Sequence, residues 1–366
     1  MTDLTLFQSG ATLAATASGH GCPAHLTYLE SGVVGLIQGV TELFPVSSLG
    51  HNVLLPALIG GCWANDLNVA ASESPYLAFI VGLHVATAIA LLIYFWSDWI
   101  RIIGGFFSSL RHIARPEPGT SRWEFRSVNE KLAWMIILAT IPVGLIGLVF
   151  EHEFRVFFGK PIRAAIFLAI NGLILIAGER FRRKASLQAD REVAEERARE
   201  REMVAVGTQR RTGGARHAAG HQAIRSAELA DAIAADRRLA RHGYWQAVII
   251  GSSQILALLA GISRDGVAMV AGMARGLSRE DAARFAFLLA TPVILAAGVL
   301  KIPDLYGPLG KDIHGQVYFG SILSGVGAYL SVRFLMKYFQ TRTLTPFGIY
   351  CLVAGLGSIV YLGLIK

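Results

Sequence analysis

Six apolar stretches of about 20 residues constrain the fold of this chain more than any other feature. They lie at residues 76–96, 131–150, 162–179, 282–300, 317–336 and 346–364. A helix needs ~20 mostly apolar residues to cross the hydrocarbon core of a bilayer, so each stretch is long enough to span a membrane. Only 16% of the residues are charged, against about 25% in soluble proteins. The sequence therefore predicts an all-α polytopic membrane protein with about six full transmembrane helices, and it excludes disordered, fibrous and ordinary cytosolic proteins.

Two further apolar regions, 28–60 and 244–277, are long but interrupted. The first is broken at residues 44–48 and the second at residues 260–266. Each half is too short to cross a bilayer alone, and backbone that leaves a helix at membrane depth is tolerated only inside protein or beside a wet cavity. Both regions are therefore predicted to be re-entrant helical hairpins around a polar site.

The basic residues of the loops predict how the chain is oriented. Arginine is abundant in the loop 97–130 and again in the segment 180–243, two spans later. Because cytoplasmic loops carry an excess of Lys and Arg, both segments are expected on the cytoplasmic side. By this count the first hairpin enters the membrane from outside and the second from inside.

The two interrupted regions also repeat each other in sequence. Residues recur at an offset of 216 positions in three pairs: Gln38 and Gln254, Ser47 and Ser263, and Gly50 and Gly266. Opposite entry and matching breaks are typical of an inverted repeat, whose site lies near the membrane midplane where the breaks meet.

The chain is predicted to have four parts, listed here in order: an N-terminal extension (1–25), a first membrane repeat (26–184), a charged cytoplasmic insertion (185–243) and a second membrane repeat (244–366). The insertion is rich in Ala, Arg and Glu, so we expect a solvated helical segment with a flexible middle and no catalytic role. Its basic residues fit membrane orientation, and nucleic acid is not an expected partner despite a net charge of +8.

The first break gathers several chemically capable side chains. Gln38 and Glu42 are four residues apart and share one helix face. A proline then ends the helix, and Ser47 or Ser48 can cap the next one, on which His51 lies three residues after Ser48. Such a group can hold a metal, bind a phosphate and supply a nucleophile or proton carrier. The structural alternative is a simple cap beside a paired acid, but ionisable groups in apolar segments are costly and favour function.

The second break carries an arginine suited to an oxyanion. Arg264 presents a planar fork of donors, and Gly261 allows a close approach of backbone. Asp265 could be a partner of that arginine, a metal ligand or a supporting residue. His84 and Asn171 are single polar residues within spans, and we expect them to satisfy hydrogen bonds between helices.

At these two motifs the sequence resembles the BacA/UppP family of bacterial undecaprenyl-diphosphate phosphatases. The first family motif is Glu or Gln, three residues, Glu, and then Pro-Val-Ser-Ser-x-Gly-His, and it is matched from Gln38 to His51. The second, Pro-Gly-x-Ser-Arg-Ser-Gly, is matched at 260–266, except that Ala260 and Asp265 replace the proline and the second serine. The resemblance covers most of the chain outside residues 1–25 and 185–240.

The resemblance implies a phosphatase of the bacterial inner membrane that converts undecaprenyl diphosphate to undecaprenyl phosphate and recycles this lipid carrier for cell-wall synthesis. Glu42 and Gln38 would position a divalent cation, Mg²⁺ or Ca²⁺, since hard cations prefer oxygen ligands. Ser48 or His51 would attack the terminal phosphorus or activate the attack, and this choice stays open. Substrate binding is expected of six residues: Gln38, Ser47, Gln254, Gly261, Ser263 and Arg264.

Two other kinds of membrane protein share features of this sequence. Acid-phosphatase-like membrane phosphatases need a histidine six residues after the Ser-Arg pair, but Val270 stands there. A transporter or flippase that binds polyprenyl phosphate without hydrolysing it is the alternative from another class, because broken helices in inverted repeats are typical of transporters. Expected partners are the polyprenyl diphosphate substrate, membrane lipids and, as an open alternative, a second copy in a homodimer.

Overall fold

The fold is described from a computed structural model. It describes residues 26–67, 75–115, 125–182, 187–188, 190–199, 229–307 and 313–364, and these contain helices but no strands. The predicted extension at 1–25 and residues 200–228 of the predicted insertion lie outside the described residues. The all-α class predicted from the sequence is confirmed.

In chain order the helices are α1 (Tyr28–Thr41), α2 (Ser48–Ile59), α3 (Gly61–Asp66), α4 (Pro75–Tyr94), α5 (Trp96–Ala114), α6 (Val128–Phe158), α7 (Pro161–Arg180), α8 (190–199), α9 (229–240), α10 (Tyr244–Ser253), α11 (Arg264–Ala274), α12 (Arg279–Tyr306), α13 (His314–Tyr338) and α14 (Thr345–Leu364). A short 3₁₀ helix, Gln254–Leu258, continues α10.

Five of the described helices, α6, α7, α12, α13 and α14, are long and apolar enough to cross a membrane. They coincide with five of the six predicted spans. The sixth, expected at 76–96, corresponds to α4, which is followed at Phe95 by an 85° bend into α5. The predicted loop at 97–130 therefore begins with a helix, and α5 buries Asp98, Ile102 and Gly105 at helical spacing. The multi-pass membrane prediction is confirmed.

Both predicted helix breaks are present. α1 ends at Thr41 and α2 begins at Ser48, while the 3₁₀ helix ends at Leu258 and α11 begins at Arg264. The starts of α1 and α10, and those of α2 and α11, are each 216 residues apart, which is the offset of the sequence repeat. In the packing, α1 lies against α13 and α10 lies against α6. The opposite entry of the two hairpins stays a prediction.

The described ends of the insertion pack against the rest of the protein. Arg238 in α9 donates two hydrogen bonds to Asp281 in α12, at 2.9 and 3.0 Å. Asp236 is 1% exposed and accepts from Arg284 at 2.8 Å. Arg197 in α8 pairs with Glu280. The helices expected in this segment are present; most of α8 is exposed, whereas one face of α9 is buried rather than solvated.

Candidate functional site

The two helix breaks are hydrogen-bonded to each other. The hydroxyl of Ser47 accepts from the backbone N–H of Gly261 at 3.2 Å. Asn171 in α7 connects the same two segments, because its Nδ2 donates to the carbonyl oxygen of Pro45 and its Oδ1 accepts from the backbone N–H of Ser263, both at 3.0 Å. The site predicted where the breaks meet is therefore one connected structure.

The serines that precede α2 and α11 cap these helices in the same way. Ser47 accepts from the N–H of Gly50 at 3.2 Å, and Ser263 accepts from the N–H of Gly266 at 3.1 Å. Ser47 also has a φ of 68°, and it is the one non-glycine residue with positive φ in the described part of the chain. Such backbone is strained and persists where the surroundings enforce it, commonly at functional sites.

Glu42 is the centre of the site and is only 6% exposed. Its Oε1 accepts a hydrogen bond from Nη2 of Arg264 at 2.5 Å. Its Oε2 accepts from the hydroxyl of Ser48 at 2.5 Å and from Nε2 of Gln38 at 2.7 Å. An ionised carboxylate only accepts, so all three neighbours match its needs. The structure thus brings together four predicted site residues, one of them from the other break.

Two residues that the sequence reading did not assign to the site extend this group. Asn52 donates from Nδ2 to Oε1 of Gln38 at 2.6 Å. Nε2 of His84 lies 3.5 Å from Oε2 of Glu42, and Nδ1 of His84 faces the carbonyl oxygen of Ile80 at 2.9 Å. Because that carbonyl can only accept, Nδ1 carries a proton, and Nε2 of His84 also lies 3.4 Å from Nε2 of Gln38. The sequence signal that could have assigned His84 to the site is its ionisable side chain within an apolar span. No sequence signal pointed to Asn52.

His51 lies beside the carboxylate group but makes no hydrogen bond with Glu42 or Ser48. Its Nδ1–H donates to the carbonyl oxygen of Ser47 at 2.7 Å, so Nε2 of the neutral ring accepts from the hydroxyl of Tyr350 at 2.7 Å. The two rings also stack, with centroids 5.8 Å apart and planes 5° from parallel. Tyr350 could not be found from sequence, because it lies 299 residues from His51.

The second break contributes Arg264 and Asp265. Nε of Arg264 lies 3.7 Å from Oδ1 of Asp265, which is too long for a hydrogen bond. Asp265 is 1% exposed, and neither of its carboxylate oxygens has a hydrogen-bond partner. Gln254 is equally buried with an unpartnered amide, and no hydrogen bond connects it to Glu42. The substrate-binding roles predicted for Gln254, Gly261 and Ser263 stay predictions.

The carboxylates of Glu42 and Asp265 are the candidate ligands for a hard divalent cation at the two breaks. In the described residues, no three His, Cys, Asp or Glu side chains lie close enough together to hold a metal ion by themselves. Mg²⁺, however, is commonly held by one or two carboxylates together with waters and substrate phosphates. Glu42 and the unpartnered Asp265 supply such carboxylates, whereas the oxygen of Gln38 already accepts from Asn52. The predicted Mg²⁺ or Ca²⁺ stays a prediction.

Comparison with known proteins gives consistent matches over most of the chain. A family model described as bacitracin resistance protein BacA matches residues 31–212 and 217–357. The undecaprenyl-diphosphatase of Mycolicibacterium paratuberculosis is 56% identical over 342 residues, which cover 93% of this chain and 99% of the relative. Undecaprenyl-diphosphatase 2 of Frankia alni is 53% identical over 342 residues, covering 90% and 96%. Undecaprenyl-diphosphatase 2 of Burkholderia lata is 36% identical over 323 residues, covering 88% and 92%.

Proposed function

The chain belongs to the bacitracin resistance protein BacA family, and we propose that it hydrolyses undecaprenyl diphosphate to undecaprenyl phosphate and inorganic phosphate. The family resemblance found in the two motifs is confirmed. The names of the relatives support the substrate and the reaction, and the apolar helices suit a substrate whose long prenyl tail stays in the bilayer. Location in the bacterial inner membrane and recycling of the lipid carrier for cell-wall synthesis are part of the same proposal.

One observation carries the assignment of roles: Glu42 is hydrogen-bonded both to Ser48 and to Arg264, each at 2.5 Å. A hydroxyl, a carboxylate that can take its proton, and a guanidinium that can bind phosphate therefore lie within one buried group. These are the parts that phosphoryl transfer requires, since its catalysis consists mainly of positioning and charge stabilisation.

In the proposed reaction, Oγ of Ser48 attacks the terminal phosphorus and its proton passes to Glu42. The bond between that phosphorus and the bridging oxygen breaks, and undecaprenyl phosphate leaves. A water then attacks the phosphoserine, Glu42 returns its proton to the leaving Oγ of Ser48, and inorganic phosphate is released. Nε of Arg264 is buried without a hydrogen bond, so this donor is available to a phosphate oxygen. A divalent cation, when bound, would offset the charge of the diphosphate.

Ser48 is the proposed nucleophile rather than His51. The hydroxyl of Ser48 already donates a hydrogen bond to Glu42, the proposed base, whereas Nε2 of His51 accepts a hydrogen bond from the hydroxyl of Tyr350. Attack by His51 would require that Tyr350 first move away. We assign His51 to holding the start of α2, through its hydrogen bond to the carbonyl oxygen of Ser47.

The test is phosphate release from undecaprenyl or farnesyl diphosphate by the purified full chain in detergent, with and without EDTA. We expect release that EDTA stops and that falls at least a hundredfold in Ser48→Ala, Glu42→Gln and Arg264→Met. Ser252→Ala removes a hydroxyl from α10 outside the Glu42 group and should keep full activity. Circular dichroism and elution as a single species establish that each variant is folded.

Two outcomes would contradict the proposal. Absence of release by the folded wild-type protein with Mg²⁺, Ca²⁺ and Mn²⁺ would refute hydrolysis and favour lipid transport. Full release by Ser48→Ala together with its loss in His51→Asn would move the nucleophile to His51.

A further inference from the structure

Asp265 is an unusual carboxylate in this protein. It is 1% exposed, and in the described part of the chain it alone among the Asp and Glu side chains has buried oxygens with no hydrogen-bond partner. It lies in the first turn of α11 yet accepts nothing from the backbone N–H groups there. A buried charge normally requires an ion partner and hydrogen bonds; Asp265 has an ion pair with Arg264 at 3.7 Å but lacks the hydrogen bonds.

The charges around Asp265 point to what that partner is. Arg264 lies between two buried carboxylates, with Nη2 at 2.5 Å from Oε1 of Glu42 and Nε at 3.7 Å from Oδ1 of Asp265. One guanidinium cannot neutralise two carboxylates. The other basic side chain of the group, His84, faces the opposite oxygen of Glu42 at 3.5 Å. In the described part of the chain Asp265 thus has no ion partner besides the guanidinium that it shares with Glu42.

We propose that Asp265 and Glu42 together bind a divalent cation, and that Arg264 competes with this cation for the two carboxylates. Mg²⁺ and its relatives take carboxylate oxygens and retain sites for water and phosphate. Asp265 thus replaces Gln38 as the second predicted ligand, because the amide of Gln38 is used by Glu42 and Asn52. The inference rests on the proposed function only in taking the diphosphate as the cation's further partner.

The competition gives the cation a second effect. A cation that takes over the charge of Glu42 and Asp265 releases the guanidinium of Arg264, whose donors then can bind the phosphate oxygens. Binding of the cation and binding of the diphosphate would in this way favour each other, as linkage requires of two coupled ligands.

The experiment measures Mn²⁺ binding to the full chain in detergent by electron paramagnetic resonance, without any substrate. Asp265→Asn keeps the shape of the side chain and should weaken Mn²⁺ binding at least tenfold, as should Asp265→Ser. Arg264→Met should strengthen it several-fold, since the competing guanidinium is gone. Asp231→Asn removes an exposed carboxylate in α9 and should leave the affinity unchanged.

Unchanged Mn²⁺ affinity in both Asp265 variants, or no Mn²⁺ bound by the wild-type protein, would overturn the inference. The two proposals fail separately. Mn²⁺ binding that depends on Asp265, in a protein that releases no phosphate, would refute hydrolysis and keep the cation site. If the protein releases phosphate but its Mn²⁺ binding does not depend on Asp265, only the proposed cation site is refuted.

Discussion

Gly35 and Gly251 occupy equivalent places in the two repeats, at the offset of 216 residues. A Cβ on Gly35 would lie 2.4 Å from the carbonyl oxygen of Gly320 in α13, and one on Gly251 would lie 1.9 Å from that of Ala139 in α6. Small residues at such positions let the backbones of membrane helices approach closely. The corresponding contacts of α1 and α10 thus depend on the same residue type.

We expect Gly35→Ala and Gly251→Ala each to lower the free energy of unfolding by about 1–3 kcal/mol, because each methyl group forces two backbones apart. Thermal unfolding in detergent is the measurement. Gly104→Ala and Gly144→Ala are matched controls, since a Cβ there would meet nothing within 4 Å and alanine favours helix. Equal melting temperatures for all four variants would contradict the close packing.

The second prediction concerns Asn171, which is hydrogen-bonded to both breaks. Asn171→Ala removes its bonds to Pro45 and Ser263. The buried N–H of Ser263 is left unsatisfied, at about 1–3 kcal/mol, and the carbonyl oxygen of Pro45 keeps only the weak thiol donor of Cys351 at 3.8 Å. Phosphate release should fall with stability, because the two halves of the site lose a common support. Thr291→Val removes only a hydroxyl bonded within its own helix and should cost less. Wild-type activity in Asn171→Ala would contradict this role.

The third prediction tests the strain at Ser47. Ser47→Ala removes the helix cap and the bond from Gly261 and leaves a Cβ at a φ of 68°. Ser47→Gly loses the same hydroxyl but accepts positive φ without strain. Glycine also replaces an N-cap serine at little cost, whereas alanine costs about 0.5–2 kcal/mol. Ser47→Gly should therefore unfold at a higher temperature than Ser47→Ala, and the reverse order would argue against strain.

Local chemistry explains which parts of the site the sequence could predict. The breaks, the caps and the Gln38–Glu42 pair depend on residues within one turn or one helix of each other. The pairing of Glu42 with Arg264 spans 222 residues; the repeat predicted that the two breaks lie together, but not that these two side chains pair. Asn171 was correctly expected to make hydrogen bonds, but nothing in a single span indicates that its partners are the breaks.

The insertion shows that composition alone does not determine whether a charged helix is exposed to solvent. A segment rich in Ala, Arg and Glu resembles a solvated helix, and α8 and α9 are helical. Whether the charges of such a helix meet water or other charges depends on the neighbouring surface. Here α12 begins with acidic residues and carries Arg284 one turn later, so Asp236 and Arg238 are buried in ion pairs.

The last prediction follows from that buried cluster. Asp236 accepts from Arg101 and from Arg284, both at 2.8 Å, and Asp98 is the other acid that these two arginines share. The guanidinium of Arg284 also lies 5.6 Å from the ring centre of Phe95, at the bend between α4 and α5. The insertion thereby helps to fix this bend.

Asp236→Ala leaves two buried guanidinium groups with one carboxylate, and removing one partner of a buried ion pair costs about 3–5 kcal/mol. We therefore expect a large fall in the melting temperature of the purified protein. Asp231→Ala removes an exposed acid from the same helix and should change stability by less than about 0.5 kcal/mol. If both variants unfold at the wild-type temperature, α9 contributes nothing to the stability of the membrane domain, and the insertion is the independent segment that its composition suggests.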